Sequence, residues 1–479
     1  MTQAFWTVIG AFNYLVLFYF IVLHVVYLAT SFFAFGALRR YALRLKSLDL
    51  TDLVTSAWAP PITLIAPAFN EEANCVESVR SLLTLEYPEY GILVVNDGST
   101  DGTIERLTAA FDLHEAHRLP TSDIATEPVR RVLHSRRHPN LWVIDKDNGG
   151  KADALNAGLN HCHTPLFCAL DADSLIEPEA LIRIVRPFLE DADAIAAGGV
   201  LRIANGCVVS RGRVVEVKMP RSFLAQLQVL EYLRAFLSGR MGWDALGATL
   251  VISGAFGLFK REVVVDAGGY STDTVGEDME LVVRLHRHCR EKGIPYRIHF
   301  VPDPVAWTEC PESVSVLSRQ RDRWQRGLFQ SLMRHRKMLF NPAYGRVGLV
   351  AYPFFFFLEM LGPVIELLGY FSFTLTILAG RAEWPLVIAF LCVAIVLGGA
   401  LSLSAVALEE LSFRRYPRIS DLLRLFSLAL LENFGYRQLS VWWRLKGTVS
   451  AVRGVKGWGA MTRKGFTVDE EEVAAGVES

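Results

Sequence analysis

Residues 166–173 read LFCALDAD, an apolar run that ends in two acids, and this pattern recurs along the middle of the chain. Three earlier runs, at 62–66, 92–95 and 142–145, also end in polar residues, and helical stretches separate them. Strands that alternate with helices predict an α/β fold, with a mostly parallel, Rossmann-like sheet and helices on both faces. Because ligands of such sheets bind beyond the carboxyl ends of the strands, the polar clusters mark the predicted site.

The composition indicates that the chain also contains membrane-associated segments. The 479 residues include 49 Lys+Arg and 50 Asp+Glu, so there is no basic excess, and we expect no nucleic-acid partner. Hydrophobic residues make up 51%, which is high for a soluble protein, and the excess lies at the two ends. The seven cysteines form neither a CxxC pair nor a zinc-binding spacing, which indicates reduced thiols in a cytosolic domain.

The N-terminal apolar stretch predicts a transmembrane helix. Residues 5–38 contain no Asp, Glu, Lys or Arg, and about 20 apolar residues suffice to cross a bilayer. Arg39, Arg40, Arg44 and Lys46 follow directly. Because basic residues stay on the cytoplasmic side, we expect the chain after residue 40 to begin inside the cell.

The C-terminal apolar region predicts further membrane helices. Its first part, from Arg346, holds Pro353 and Glu359 and reads as an interfacial or re-entrant helix, whereas 363–380 and 385–408 read as two spans. The basic run at 414–418 would return the chain to the cytoplasm. Residues 422–443 carry several charges and predict an amphipathic helix at the cytoplasmic face, with a fourth span as the alternative.

We therefore expect four parts. They are a transmembrane helix with its basic stop (1–46), a cytoplasmic catalytic domain (47–340), interfacial and transmembrane helices (341–445) and a cytoplasmic tail that is first basic and then acidic (446–479). The expected location is the inner (plasma) membrane, multi-pass, with a cytoplasmic active site.

The polar clusters after the first strands are suited to binding a nucleotide. Asn70 and Glu71 follow the first strand, and Asp97 ends the second; such side chains can hydrogen-bond a nucleobase and ribose hydroxyls. Asp97 also begins a sequence typical of a simple turn. Next, two glycines open a helix with Lys151 in its first turn, which offers a cation and free backbone N–H groups to a phosphate, or is only a capped helix start.

The acids at 171 and 173 predict a metal site. Asp171 and Asp173 lie at the end of a buried strand, and carboxylates suit Mg²⁺ or Mn²⁺, which bridge a diphosphate. A second copy of this spacing, Asp191 and Asp193, reads as a solvated loop.

Two later motifs add an acid and an aromatic side chain. Glu277 and Asp278 open a helix, where a carboxylate would be a general base toward a sugar hydroxyl or would only cap the helix. Gln320, Arg323 and Trp324 lie in a basic stretch before the membrane. The tryptophan could stack on a sugar and the polar pair could hold phosphates, or the stretch is a basic juxtamembrane helix.

Taken in order, these motifs resemble the processive membrane glycosyltransferases of family 2, the group of cellulose, hyaluronan, chitin and poly-N-acetylglucosamine synthases. The resemblance covers roughly residues 60–340 and implies a GT-A domain packed on a membrane channel. Asp278 matches the base of the family's TED motif, although Gly276 replaces the threonine, and that change puts acceptor contacts in doubt.

The resemblance also implies roles for the remaining residues. Asp97, with Asn70 or Glu71, would contact uridine, Lys151 would lie near the diphosphate, and Asp173 would be a more direct metal ligand than Asp171. Gln320, Arg323 and Trp324 match the family's QxxRW motif. Ser253-Gly254 resembles the segment that binds the acceptor in the family. The residues expected to bind the nucleotide sugar are Asn70, Glu71, Asp97, Lys151, Asp171, Gln320, Arg323 and Trp324, and those expected to bind the acceptor are Ser253, Gly254 and Trp324.

The implied reaction is an inverting transfer from a UDP-sugar, UDP-GlcNAc first and UDP-glucose second, to a β-linked polysaccharide. The expected partners are the UDP-sugar, the polysaccharide acceptor, membrane lipid and an export partner protein, with export between the membrane helices. Two alternatives are a non-processive transfer of one sugar to a lipid acceptor and a catalytically silent receptor on the same fold.

Overall fold

Ten strands form one mixed sheet at the centre of the α/β region. The computed structural model describes residues 2–45, 59–171, 174–210, 213–413, 416, 418–455 and 457. The strands are β1 (Ile62–Ala68), β2 (Tyr90–Asp97), β3 (Leu113–Glu115), β4 (Val129–Ser135), β5 (Leu141–Lys146), β6 (Leu166–Leu170), β7 (Leu175–Ile176), β8 (Ala194–Ile203), β11 (Phe256–Lys260) and β12 (Arg297–Thr308). Two further strands, β9 (Val208–Ser210) and β10 (Arg213–Glu216), form a separate hairpin. The strand order in the ten-stranded sheet is β3-β4-β5-β2-β1-β6-β11-β8-β12-β7.

The predicted parallel sheet is confirmed at its core. Strands β5, β2, β1 and β6 run parallel to one another, and β8 pairs parallel with β12. Antiparallel strands extend the sheet on both sides of this core, with β4 beside β5 and β11 between β6 and β8. The carboxyl ends of the parallel strands therefore share one edge, as the sequence predicts.

Helices cover both faces of the sheet. Successive side chains of a strand point to opposite faces, so the apolar strands present a hydrophobic surface on each side that the helices bury. In β1, Leu64 and Ala66 belong to one hydrophobic core and Ile65 to the other. The helices of this region are α2 (Cys75–Leu82), α3 (Thr103–Phe111), α4 (Lys151–Asn160), α5 (Ala180–Glu190), α6 (Phe223–Tyr232), α7 (Arg240–Ala245), α8 (Arg261–Asp266), α9 (Glu277–Lys292) and α10 (Val314–Arg334); a π-helical stretch, Leu233–Gly239, joins α6 to α7.

The two ends of the chain supply the long apolar helices. They are α1 (Thr2–Leu45), α11 (Gly362–Leu378), α12 (Trp384–Cys392), α13 (Gly398–Ser412), α14 (Ile419–Leu431) and α15 (Tyr436–Val452). By length and composition, Gln3–Arg44 and Trp384–Ser412 could each cross a membrane. A third candidate is the pair Val347–Met360 and Gly362–Leu378, which is bent by 44° at the place where the sequence predicts an interfacial or re-entrant segment.

The prediction of a single amphipathic helix over 422–443 is wrong. The helix α14 ends at Leu431, and Gly435, with φ of 96°, precedes the start of α15 in a backbone conformation that favours glycine. Glu432 is fully buried beside Arg234 of the π-helical stretch Leu233–Gly239, and α15 packs along α10. At least one charge of this segment, that of Glu432, thus belongs to an internal ion pair. Three residues of the basic run at 414–418 (Arg414, Arg415 and Pro417), as well as 46–58, 456 and 458–479, lie outside the described residues, and the four-part division stays a prediction.

Candidate functional site

A cavity of about 140 Å³ lies at the carboxyl ends of β6, β8 and β12 and gathers motifs that are far apart in sequence. Loops before β11 and the helices α9 and α10 complete its wall. Seven of the residues predicted for the site line it: Asp171, Ser253, Gly254, Asp278, Gln320, Arg323 and Trp324. Asp173, predicted as a metal ligand, lies outside the described residues.

Lys151 connects three motifs at the inner side of this cavity. Its Nζ lies 2.5 Å from Oδ1 of Asp171 and 3.4 Å from Oε1 of Glu277, and it donates to the carbonyl oxygen of Gly254 at 3.5 Å. Burial opposes the charge, but the carboxylates of Asp171 and Glu277 raise the pKa of Lys151 above its usual range. The lysine is therefore a permanent cation beside the acid predicted to bind metal.

The two adjacent acids at the start of α9 have different environments. Asp278 lines the cavity, and its Oδ2 accepts a hydrogen bond from the N–H of Gly254 at 2.9 Å. Glu277 is only 5% exposed, and burial raises its pKa while Lys151 opposes that shift. Of these two acids, Asp278 is the one that a molecule in the cavity would meet.

Gly276 allows α9 to approach α10 closely. A Cβ on Gly276 would lie 2.6 Å from Cα of Gly327, and a Cβ on Gly327 would lie 2.8 Å from Cα of Gly276. Contacts this short do not occur between real atoms, so neither position accepts a side chain without displacement of the backbone. Close packing therefore explains why glycine stands at position 276, where the motif that it resembles has threonine. This packing keeps Asp278 near Trp324, which lies three residues before Gly327.

Asp97 is enclosed by donors of its own chain. Its Oδ1 accepts from Nζ of Lys146 at 2.8 Å and from the N–H of Gly149 at 3.0 Å, while its Oδ2 accepts from the N–H of Gly150 at 2.7 Å. The carboxylate is thus saturated and the residue is 3% exposed. Of the N–H groups expected to be free for a phosphate, those of Gly149 and Gly150 are already bonded, which corrects that expectation. The uridine contact of Asp97 stays a prediction.

The loops after β1 and β2 are fastened to each other. Oδ1 of Asn70 accepts from the N–H of Thr100 at 2.8 Å, and the N–H of Asn70 donates to Oγ of Ser99 at 3.0 Å. The N–H of Glu71 donates to Oγ1 of Thr103 at 3.0 Å. Asn70 is exposed and Glu71 is half-buried, and neither lines the 140 Å³ cavity. They lie at the same sheet edge as Asp97.

The opposite wall of the cavity is aromatic. Trp324 is 37% exposed, and the guanidinium of Arg321 lies 4.3 Å from its ring centre on α10. Phe236 lies 6.3 Å from Trp324 and stacks on Tyr232 at 4.4 Å, and all three rings line the cavity. Sequence reasoning missed Tyr232 and Phe236. Their spacing of four residues, which places both on one helix face, is the signal that could have indicated them.

The donor set fits a hard divalent cation in part. Among the described residues, no cluster of three or more His, Cys, Asp and Glu side chains is arranged to hold a metal. The Asp171 carboxylate is nevertheless a hard oxygen donor, 34% exposed at the cavity wall. One protein carboxylate with diphosphate oxygens is a common way for Mg²⁺ to bind, because this ion keeps several waters and uses few protein ligands.

Comparison with known proteins gives one family. Residues 60–327, more than half of the chain, match the family described as "Glycosyltransferase like family 2". Two relatives are named poly-beta-1,6-N-acetyl-D-glucosamine synthase, and both are 28% identical to this chain. The one from Staphylococcus aureus (strain COL) matches over 325 residues, 67% of this chain and 66% of the relative. The one from Staphylococcus epidermidis (strain ATCC 35984) matches over 273 residues, 57% of this chain and 56% of the relative. The chain thus spans less than two thirds of the length of these curated relatives.

Two solved structures are similar at low identity. The mannosyltransferase PcManGT from Pyrobaculum calidifontis, in complex with GDP-Man and Mn²⁺, is 19% identical with a TM-score of 0.48, and the match covers 87% of this chain and 99% of that one. S. aureus TarS 1–349 is 14% identical with a TM-score of 0.37, over 79% of this chain and 91% of that one.

Proposed function

This chain belongs to glycosyltransferase family 2, and from that premise we propose that it transfers sugar from a UDP-sugar, first of all UDP-GlcNAc, to a growing β-linked polysaccharide. The observation that carries the proposal is the cavity lined by Asp278, Asp171 and the exposed ring of Trp324, where the Asp171 carboxylate pairs with Lys151. The names of the curated relatives support the choice of sugar and of a polymeric product.

Asp278 is the general base of the proposed reaction. Its carboxylate takes the proton of an acceptor hydroxyl, whose oxygen attacks the anomeric carbon as the bond from that carbon to the diphosphate oxygen breaks. The configuration at the anomeric carbon inverts, and UDP leaves. The N–H groups of Gly254 and Met279 donate to Oδ2 at 2.9 Å and to Oδ1 at 2.7 Å, which fixes the carboxylate at the cavity wall, where an acceptor would meet it.

Lys151 stabilises the leaving group electrostatically. Its ammonium is already charged and oriented by Asp171 and Glu277, so it needs no reorganisation when charge develops on the diphosphate. We propose that Asp171, together with Asp173, holds Mg²⁺ or Mn²⁺, which when bound neutralises charge on the diphosphate. Arg323 and Gln320 bind the same group from the α10 side of the cavity.

Acceptor and nucleotide occupy opposite ends of the site in this proposal. Trp324, with Ser253 and Gly254, binds the acceptor, because an exposed ring offers an apolar face to a sugar. The uridine lies toward Asn70, Glu71 and Asp97 at the ends of β1 and β2. Ligand sites at the ends of neighbouring parallel strands support this arrangement.

The proposed setting is the inner membrane, with the active site in the cytoplasm and the product exported between the helices. The uncharged stretch at 5–38 and the arginines that follow it support this orientation. Membrane lipid and an export partner protein belong to the same proposal.

The test is to incubate the purified protein with a panel of UDP-sugars and to measure both UDP release and product length. We expect UDP-GlcNAc to give the fastest release and long products that require a divalent metal. Products extended by a single sugar would instead support transfer to a lipid acceptor. If a protein shown to be folded releases UDP from none of the UDP-sugars, the result would support the alternative of a catalytically silent receptor.

A further inference from the structure

Arg321, the cation beside Trp324, is held in place by an acid of another helix. Arg321 is 2% exposed and lies outside the lining of the 140 Å³ cavity. Its Nη2 donates to Oε2 of Glu231 on α6 at 2.6 Å, and its Nη1 donates to Oε1 of Gln320 at 3.0 Å. The same guanidinium lies 4.3 Å from the ring centre of Trp324. Arg321 therefore connects Glu231 to two residues of the cavity wall.

The C-terminal helix α15 also reaches the Glu231 carboxylate. The hydroxyl of Tyr436, the first residue of α15, donates to the same Oε2 at 2.7 Å, and Tyr436 is only 7% exposed. Burial opposes the charge of Glu231, but Arg321 and the Tyr436 hydroxyl hold the pKa of this carboxyl below its usual value. One carboxylate thus joins α6, α10 and α15, and α15 lies beyond residues 60–327, which match the family.

The position of Arg321 affects the Trp324 ring directly. The two residues are three positions apart on α10, so their side chains are neighbours on one helix face. A guanidinium above an indole ring attracts it, and a charge-assisted bond to a carboxylate fixes where that guanidinium lies. The nearby cation Arg234 has its own partner in Glu432. The orientation of the Trp324 ring therefore depends on Glu231 through Arg321.

We propose that Glu231 is a positioning residue of the acceptor site, which holds Arg321 beside Trp324 and so sets the orientation of the indole, and that Tyr436 brings α15 into this arrangement. Glu231 and Tyr436 lie outside the cavity lining, so they act through Arg321 and Trp324 and not on the sugar itself. The inference rests on the proposed function, in which Trp324 binds the acceptor. It adds that a helix beyond the family match takes part in acceptor binding.

Steady-state kinetics of the full chain in detergent micelles test this proposal. The donor is UDP-GlcNAc and the acceptor is a β-1,6-linked N-acetylglucosamine oligosaccharide, the linkage in the names of the curated relatives. Glu231→Gln preserves the shape of the side chain and removes its charge, so Arg321 loses its ion pair. We expect the KM for acceptor to rise about threefold, because the ring remains but its cation is held less firmly. The KM for UDP-GlcNAc should change less, since Lys151 and Arg323 are also proposed to hold the diphosphate.

A double-mutant cycle with Trp324→Ala separates positioning from general structural support. If Glu231 acts through the indole, adding Glu231→Gln to Trp324→Ala should leave the KM for acceptor unchanged. An equal rise in both backgrounds would show independent effects and would overturn the proposal.

Tyr436→Phe is a milder variant, which serves as well if Glu231→Gln does not fold. It keeps the ring and removes the hydroxyl that donates to Glu231. We expect the KM for acceptor to rise about twofold, the effect of one lost hydrogen bond, and this rise should also vanish in the Trp324→Ala background. A KM equal to that of wild type would overturn the part assigned to α15.

Glu409→Gln is the matched control. Glu409 on α13 is 2% exposed and pairs with Arg202, and neither residue lines the cavity. The same substitution in this buried pair should lower the melting temperature but leave the KM for acceptor within about twofold of wild type. A rise as large as that in Glu231→Gln would mean that general loosening explains both, and it would overturn the proposal. If Trp324→Ala itself leaves the KM for acceptor unchanged, the acceptor role proposed for Trp324 fails, and the positioning role fails with it. Additive effects of Glu231→Gln and Trp324→Ala would instead overturn the positioning role alone.

Discussion

The two ends of the proposed catalytic site use their carboxylates in opposite ways. At the end of β2, Asp97 is 3% exposed and accepts bonds from Lys146, Gly149 and Gly150. At the start of α9, Asp278 opens on the cavity and is held by the N–H of Gly254. A carboxylate whose acceptors are all occupied fixes the backbone around it, whereas one with an open side is available for chemistry. The comparison therefore predicts a loss of stability at one end and a loss of rate at the other.

The largest effect is expected for Asp278→Asn. Losing a general base typically costs about 10²–10⁴-fold in rate, so polymer synthesis should fall by that factor. The amide oxygen can accept from only one of the two N–H groups, of Gly254 and Met279, that the carboxylate binds, so we expect a small fall in melting temperature but an affinity for UDP-sugar near wild type. Synthesis measured beside UDP binding checks both statements.

Glu277→Gln is the control for that variant. Glu277 is buried and lies 3.4 Å from Lys151, so its replacement should act on donor binding or folding before it acts on the acceptor. If Asp278→Asn keeps more than about a tenth of wild-type synthesis while Glu277→Gln folds and is inactive, Glu277 is the base. Within α9 the enclosed acid, Glu277, would then carry the chemistry and the open acid, Asp278, would not.

Next in size is the effect of Asp97→Asn on stability. Lys146 has a fully buried side chain and pairs with both Asp97 and Asp153. Removing one partner of a buried pair typically destabilises a protein by about 3–5 kcal/mol, and the lower end applies here because Asp153 remains. A clear fall in melting temperature should accompany the substitution. A variant as stable as wild type that no longer binds UDP would show instead that Asp97 contacts the nucleotide directly.

A smaller effect is expected at the open end of the site, where α9 packs closely against α10. Gly276→Ala places a Cβ 2.6 Å from Cα of Gly327, and overpacking of this kind costs roughly 1–3 kcal/mol. Because the strain acts between α9 and α10, synthesis should fall as well. Gly10→Ala is the control, since nothing lies within 4 Å of its added carbon. Equal melting temperatures for Gly276→Ala and wild type would contradict the close contact.

The sequence predicts the parts of this site that depend on local pattern. Apolar runs with polar ends place Asp171 and Asp97 at the edge of the sheet, because strand period and turn chemistry are local properties. The bonds that enclose Asp97 depend on the pairing of β2 with β5, which puts Asp97 opposite Lys146. The contact of Gly276 with Gly327 likewise depends on how two helices meet. Such relations between distant segments leave no periodic signal in either one.

The smallest of these effects should occur at Trp324, and it tests the open end of the site directly. Its ring is 37% exposed on the cavity, with Arg321 on one side and Phe236 nearby, so the ring is held in place without a ligand. Aromatic pairs contribute about 0.5–1.5 kcal/mol beyond burial, and a sugar stacked on indole should depend on the ring to a similar degree. Trp324→Ala should therefore raise the KM for acceptor about tenfold, and Trp324→Phe, which keeps a ring, only about two- to threefold. The KM for UDP-sugar should change far less in both variants, because Gln320, Arg323 and Lys151, rather than Trp324, are proposed to hold its diphosphate. An equal rise in both KM values would mean that Trp324 holds the leaving diphosphate or the shape of α10, and the division of the site into a nucleotide end and an acceptor end would then not hold.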